Sequence, residues 1–151
     1  LFFRTHGFSG EENEAIVRFI ESIPMRPNRY RKEGARLNEF QQLGKAMFER
    51  TYDNLGRYIP VANRCVTCHP PPYGTDRMKH GVGSRNDHDR DGVFDTPHIT
   101  NVYERPPYMH DGRCYSLEEI WTEHNPDDTH GVTNDMTKGQ LNALIEYIKT
   151  F

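Results

Sequence analysis

Hydrophobic positions recur at spacings of three and four residues in four segments of the chain, which predicts four amphipathic helices. The first follows Ser9 and stops at Pro24. The second covers about 36–51, the third covers about 117–124, and the fourth runs from Thr137 to the C-terminus. Capping boxes pair Ser9 with Glu12, Ser116 with Glu119 and Thr137 with Gln140. The residues on one face of each predicted helix are, in chain order, Ile16, Phe19, Ile20 and Ile23; Leu37, Phe40, Gly44, Met47 and Phe48; Leu117, Ile120, Trp121 and His124; and Leu141, Leu144, Ile145 and Ile148.

A long connection separates the second and third helices. It holds about 65 residues that are rich in Pro, Gly, Asp and His and lack the alternation of a strand. A loop of this length in a compact domain usually carries function or wraps a ligand. The predicted fold class is therefore all-α, with long Pro/Gly/Asp-rich loops around one ligand.

Composition indicates that side chains alone do not fill the interior. Hydrophobic residues make up 34% of the 151 residues and the mean hydropathy is −0.88, which is lean for one domain. Aromatic residues make up 11%, which argues against disorder. A bound cofactor would complete such a core.

Charge and hydropathy exclude several classes of partner. The net charge is −3 and no block of like charge stands out, which disfavours nucleic acid and a polybasic membrane surface. No run approaches the roughly 20 apolar residues of a membrane span. The three cysteines are an odd number, which argues against a disulfide framework.

An internal repeat relates the two ends of the chain. Residues 15–23 match residues 143–151, an offset of 128 positions (143 − 15), and Thr5-His6-Gly7 recurs as Thr129-His130-Gly131. The pattern predicts that 1–24 is the tail of a preceding domain and that 25–151 is a complete domain of the same kind, in a longer chain. Two generic amphipathic helices are the alternative.

The residues Cys65-Val66-Thr67-Cys68-His69 form the C-x-x-C-H motif of c-type haem attachment. Two thiols at this spacing add to both vinyl groups of one porphyrin, and the adjacent His69 then reaches the iron as proximal ligand. The alternatives are a redox C-x-x-C and half of a zinc site. Covalent haem attachment takes place outside the cytoplasmic membrane, so a periplasmic or extracellular location is expected.

Helix sequences on both sides of this motif resemble class I cytochrome c domains. The resemblance rests on Gly44-Lys45-Ala46-Met47-Phe48 and on Leu144-Ile145-Glu146-Tyr147-Ile148-Lys149. It implies that the first and last helices of the domain cross where a glycine meets an aromatic residue, here Gly44 and Tyr147.

Two further motifs resemble the dihaem cytochrome c peroxidase and MauG-like family. They are Thr96-Pro97-His98-Ile99-Thr100-Asn101-Val102 and Pro107-Tyr108-Met109-His110-Asp111-Gly112, and the resemblance covers about 36–151. It implies the C-terminal haem domain of that family, which feeds electrons to a peroxidatic haem in another domain. Thr100 stands where the family usually has Arg, and His110 is expected to be a hydrogen-bonding group beside the haem.

The distal ligand has five candidates, of which His130 is the first choice. His130 precedes Tyr147 by 17 residues (147 − 130), a separation like that between ligand and helix aromatic in class I cytochromes c. A second imidazole would make the iron low-spin and lower its potential, since Met ligation raises it. By the repeat, His6 would ligate a haem of the preceding domain. The alternatives to His130 are His124, Met78, Met109 and Met136.

The residues Asp87, Asp89, Asp91 and Asp95 occupy positions 1, 3, 5 and 9 of a calcium-loop pattern, with Gly92 at position 6. Position 12 is His98 rather than Glu, so the loop is not a regular EF-hand. The sequence predicts a calcium site here, with a solvated acidic loop as the alternative.

Together these features predict a domain with one covalent haem that transfers electrons, as a module of a larger multihaem protein or complex. The sequence indicates an electron carrier rather than a catalyst by itself, and no catalytic residue is assigned. The alternatives are the electron-donating domain of a dihaem peroxidase or MauG-like oxidase, and a structural haem domain. Expected partners are a redox partner protein or a neighbouring haem domain.

Overall fold

The computed structural model describes residues 7–151. The prediction for His6 lies outside the described residues. Within the described part of the chain, five α-helices run in order: α1 (Gly10–Ser22), α2 (Glu39–Glu49), α3 (Cys65–Cys68), α4 (Leu117–Thr122) and α5 (Lys138–Ile148). Short 3₁₀ turns at Val61–Asn63 and Val102–Glu104, and the strands β1 (Lys79–His80) and β2 (Phe94–Asp95), occupy the long connection.

Side-chain caps start the four helices predicted from the sequence. The capping boxes of α1 and α5 form as predicted, and α2 opens with a third box between Asn38 and Gln41. In α4, Ser116 Oγ accepts a hydrogen bond from the Glu119 amide, but the Glu119 carboxylate accepts from the Tyr115 amide instead of closing a box. The predicted box is therefore only half formed.

Helices α2 and α5 cross in direct backbone contact and form the centre of the core. A Cβ built on Gly44 would lie 1.9 Å from the Ala143 carbonyl oxygen and 2.7 Å from Tyr147 Cβ. Only glycine permits this approach, so the predicted meeting of Gly44 and Tyr147 is confirmed. Phe48 and Leu144 are fully buried beside the crossing.

The long connection departs from the all-α prediction. Strands β1 and β2 pair antiparallel, with Lys79 opposite Asp95 and His80 opposite Phe94. Two residues per strand are too few to produce a visible alternation of polar and apolar positions, which is why the sequence did not reveal them. The fold is thus mostly helical with one small sheet. Among residues 7–151, no helix has the length and apolar character needed to cross a membrane.

Candidate functional site

A cavity of about 600 Å³ opens between the α2–α5 core and the long connection. This volume is in the range of small-molecule sites. Its wall is mostly apolar and includes Phe48, Ile99, Leu117, Ile120, Trp121 and Ile148. All four residues predicted to hold haem also line it, namely Cys65, Cys68, His69 and His130.

One ring nitrogen of His69 is engaged in a hydrogen bond to the backbone. It follows the single turn of α3, and its Nδ1 lies 2.7 Å from the Gly74 carbonyl oxygen. A carbonyl only accepts, so Nδ1 carries the proton and Nε2 keeps its lone pair, as in metal-bound histidines. Gly74 has φ +65°, and a Cβ there would lie 2.2 Å from the Ile99 side chain, so the position requires glycine.

His130 lies across the cavity from His69. The two ring centres are 6.4 Å apart. Metal–imidazole bonds are about 2 Å long and each ring adds about 1 Å from nitrogen to centre, so two imidazoles on opposite sides of one ion have centres about 6 Å apart. Nδ1 of His130 is buried without a hydrogen-bond partner among residues 7–151. The pair therefore fits a metal ion held between the two rings.

Burial keeps both imidazoles neutral, which metal ligation requires. Desolvation lowers the pKa of His130 to about 4, with a smaller contribution from His69. Desolvation also lowers the pKa of His69, partly offset by its bond to the Gly74 carbonyl.

The backbone around His130 is fixed by Asn125, a fully buried side chain that the sequence analysis missed. Its Oδ1 accepts from the His130 amide at 2.7 Å, and its Nδ2 donates to the Gly131 carbonyl at 2.9 Å. Trp121 Nε1 donates to the His130 carbonyl at 3.2 Å. No periodic or motif signal marks an asparagine in a loop as a support of this kind.

A buried ion pair ties the same loop to the end of α2. Arg50 contacts both Asp135 carboxylate oxygens, at 2.5 and 2.8 Å, and also donates to the Val132 carbonyl at 2.7 Å. Both charged side chains are less than 10% exposed. The Asn54 amide donates to the same carboxylate at 2.7 Å. The sequence analysis missed this pair too, because its partners are far apart in the chain.

The two motif cysteines are free thiols in the cavity wall. Burial raises the pKa of Cys65 to about 11 and also raises the pKa of Cys68. Redox C-x-x-C motifs depend on a lowered thiol pKa, so this environment disfavours the redox alternative. A Cβ on Gly131 would lie 3.4 Å from Cys65 Sγ, so the loop that carries His130 packs directly against Cys65.

A competing metal cluster shares one of these cysteines. Ligand atoms of Cys68, Asp76 and His80 lie within 4.8 Å of one another. However, Asp76 Oδ2 and His80 Nε2 already bond to each other at 2.6 Å, and Cys65 has no part in the cluster. A metal ion in this cluster would leave Cys65 and His69 without a role.

Of the alternative distal ligands, Met109 lines the cavity, whereas His124, Met78 and Met136 are not among the lining residues. Met78 is 61% exposed. Of the two histidine candidates, His130 is the one whose ring pairs with the His69 ring, with centres 6.4 Å apart.

The four aspartates of the predicted calcium loop are not gathered around one point. Among residues 7–151, no three of these carboxylates come within ligand distance of one another. Asp89 accepts from the Asn86 amide and lies 3.0 Å from His110 Nε2, while Asp95 lies in β2. His110 also lies 3.3 Å from Ser84 Oγ, which agrees with the hydrogen-bonding role predicted for it.

Calcium binding stays a prediction. Titration of the chain with CaCl₂ in a calorimeter is expected to show one site, because a divalent cation relieves the repulsion among Asp87, Asp89, Asp91 and Asp95. Heats equal to those of the same titration with Asp87→Asn and Asp91→Asn both changed would contradict it.

The fold of this chain matches part of a known protein. The chain is 25% identical over 189 aligned residues to hydrazine synthase subunit gamma of Kuenenia stuttgartiensis, covering 97% of this chain and 51% of that protein. A solved structure of Kuenenia stuttgartiensis hydrazine synthase pressurised with xenon superposes with a TM-score of 0.72 at 22% identity, covering 95% of this chain and 56% of that one. The chain thus has the fold of part of that structure and spans about half the length of the relatives it matches.

A second solved structure is less similar to this chain. A crystal structure of a MauG-like protein associated with microbial copper homeostasis aligns at a TM-score of 0.49 and 20% identity, over 77% of this chain and 44% of that one, a likeness too low to add to the assignment. No family model matches the chain. The relative with sequence similarity is a subunit of a larger complex.

Proposed function

We propose that this chain is a c-type haem domain that carries electrons within a larger multihaem protein or complex. The observation that carries the proposal is the position of Cys65, Cys68 and His69 in the wall of an apolar cavity, with the His130 ring 6.4 Å from the His69 ring. The crossing of α2 and α5 at Gly44 supports a class I cytochrome c arrangement around it.

Each residue has a distinct role in this proposal. Cys65 and Cys68 would hold the porphyrin through their sulfur atoms, and His69 and His130 would each offer a ring nitrogen to the iron. Bound haem supplies a one-electron couple at its iron. The apolar wall excludes water, and the Gly74 carbonyl orients the His69 ring. If both histidines bind the iron, a substrate would have to displace one of them to reach it, which favours electron transfer over catalysis.

A second candidate is the electron-donating domain of a dihaem peroxidase or MauG-like oxidase. It is favoured by the two motif segments, because Pro97, Ile99, Val102, Tyr108, Met109 and His110 all line the cavity. Here too the domain would carry electrons, and a second haem elsewhere would do the chemistry. Either function implies a periplasmic or extracellular location, where covalent haem attachment takes place.

Covalent haem attachment is tested by intact mass. The chain, produced in a bacterial periplasm with a haem attachment system, is expected to gain the mass of one haem that acid extraction does not remove. Cys65→Ser together with Cys68→Ser is expected to abolish the gain. Cys114→Ser is the matched control, because Cys114 is fully buried in the core and is not among the residues that line the cavity. An unmodified wild-type chain, or one that binds zinc instead, would overturn the proposal.

A further inference from the structure

Helix α1 is amphipathic and well capped, yet none of its residues is buried. Ile16, Phe19, Ile20 and Ile23, here called the α1 face, are 38, 67, 59 and 54% exposed. An isolated helix of this length is marginal in water, because helices gain most of their stability from packing an apolar face. Within residues 7–151, the α1 face therefore lacks the packing contact that its apolar pattern predicts.

The internal repeat indicates which packing contact the α1 face would make. At the offset of 128 positions, Ile16 corresponds to Leu144, Phe19 to Tyr147 and Ile20 to Ile148. These three residues of α5 are at most 5% exposed, in the core formed where α5 crosses α2. The same pattern is thus buried in one copy and exposed in the other.

The crossing of α2 and α5 also requires a glycine at one position of the helix that packs on α5. Gly44 of α2 meets Ala143 and Tyr147, where any Cβ would clash. The equivalent positions on α1 are Ala15 and Phe19. A helix that docks on α1 in the same way needs a glycine opposite these two residues.

We propose that the α1 face docks on an α2-like helix, with glycine at the crossing, that belongs to a second unit of this fold. The relative of this chain is about twice as long as the matched region, which leaves room for such a unit in a protein of this type. The proposal concerns helix packing, so it does not depend on the haem function.

Charge argues against a lipid surface as the occupant. Within α1, the acidic residues are Glu11, Glu12, Glu14 and Glu21, and Arg18 is the single basic residue. Interfacial helices that bind anionic lipids have Lys and Arg on the polar face. A protein helix fits this composition better.

A tethered copy of α2 tests the proposal. Residues 36–51 are fused ahead of Leu1 through a flexible linker of about 15 Gly and Ser residues, which raises the effective concentration to roughly millimolar. Amide hydrogen exchange of α1 is expected to slow at least tenfold relative to the unfused chain, because docking suppresses local opening. Gly44→Val, made only in the fused copy, is expected to remove this protection.

Neighbouring substitutions in α1 provide the matched control. Phe19→Ala, on the α1 face, is expected to remove most of the protection, whereas Arg18→Ala, on the opposite face, is expected to keep it. Equal protection by the glycine and valine copies, or no protection by either, would overturn the proposal. So would protection of α1 in the unfused chain that rises with protein concentration, because α2 of each copy is already covered by α5 and the occupant would then be another surface of a second copy.

Discussion

His130→Ala is expected to convert the bound haem from a six-coordinate low-spin state to a high-spin state and to let the reduced protein bind carbon monoxide. The substitution removes the ring that lies 6.4 Å from the His69 ring and opens one axial position. The His69 side should be unaffected, because its Nδ1 bonds to Gly74 on a separate segment. Visible absorption and electron paramagnetic resonance spectra measure the change of spin state.

His124→Ala is the matched control for this substitution. His124 is only partly buried and is not among the residues that line the cavity, so its removal is expected to leave the low-spin spectrum unchanged. A His130→Ala protein that remains low-spin would contradict the assignment. High-spin spectra from Met109→Ala, with His130→Ala unchanged, would make Met109 the ligand.

Asp135→Ala is expected to lower the free energy of unfolding by about 3–5 kcal/mol, because it leaves the Arg50 guanidinium buried without its charge partner. The same change removes the acceptor of the Asn54 amide. Urea or thermal denaturation followed by circular dichroism measures the loss.

An exposed ion pair in the same chain provides the comparison. Glu14 and Arg18 have side chains that are 72 and 74% exposed, so Glu14→Ala should cost no more than about 0.5 kcal/mol. Replacing both buried partners, as Arg50→Met with Asp135→Leu, should cost less than Asp135→Ala alone. A loss below about 1 kcal/mol for Asp135→Ala would show that the pair does not hold the loop.

Local patterns in the sequence were enough to predict four of the helices, whereas the central crossing was predicted from a family resemblance. The caps at Ser9 and Thr137 lie within three residues of their partners, and the apolar rows follow from helical geometry. Gly44 and Tyr147 were paired through that resemblance, and the close contact of the two residues confirms the pairing. His130 was chosen by its spacing and its recurrence, and the structure places it opposite His69.

Other parts of the site depend on contacts that no local pattern encodes. Asp135 meets Arg50 across 85 positions of the chain, and Asn125 acts through a loop without periodicity. In the acidic loop, the spacing predicts a shared cation, which is still to be tested, but gives no sign that Asp89 lies 3.0 Å from His110 of a distant segment. Tertiary contacts decide such positions, so sequence spacing alone is a weak guide to them.

The crossing of α2 and α5 has a consequence for how the chain folds. Gly44 and Ala143 are separated by 99 positions (143 − 44), so the crossing closes a loop that contains the whole long connection. Chains are synthesised from the N-terminus, so the Cys65–His69 segment is made before α5, which contributes Ile148 to the cavity wall. The wall of the cavity is therefore complete only after the last helix has been made and has docked on α2.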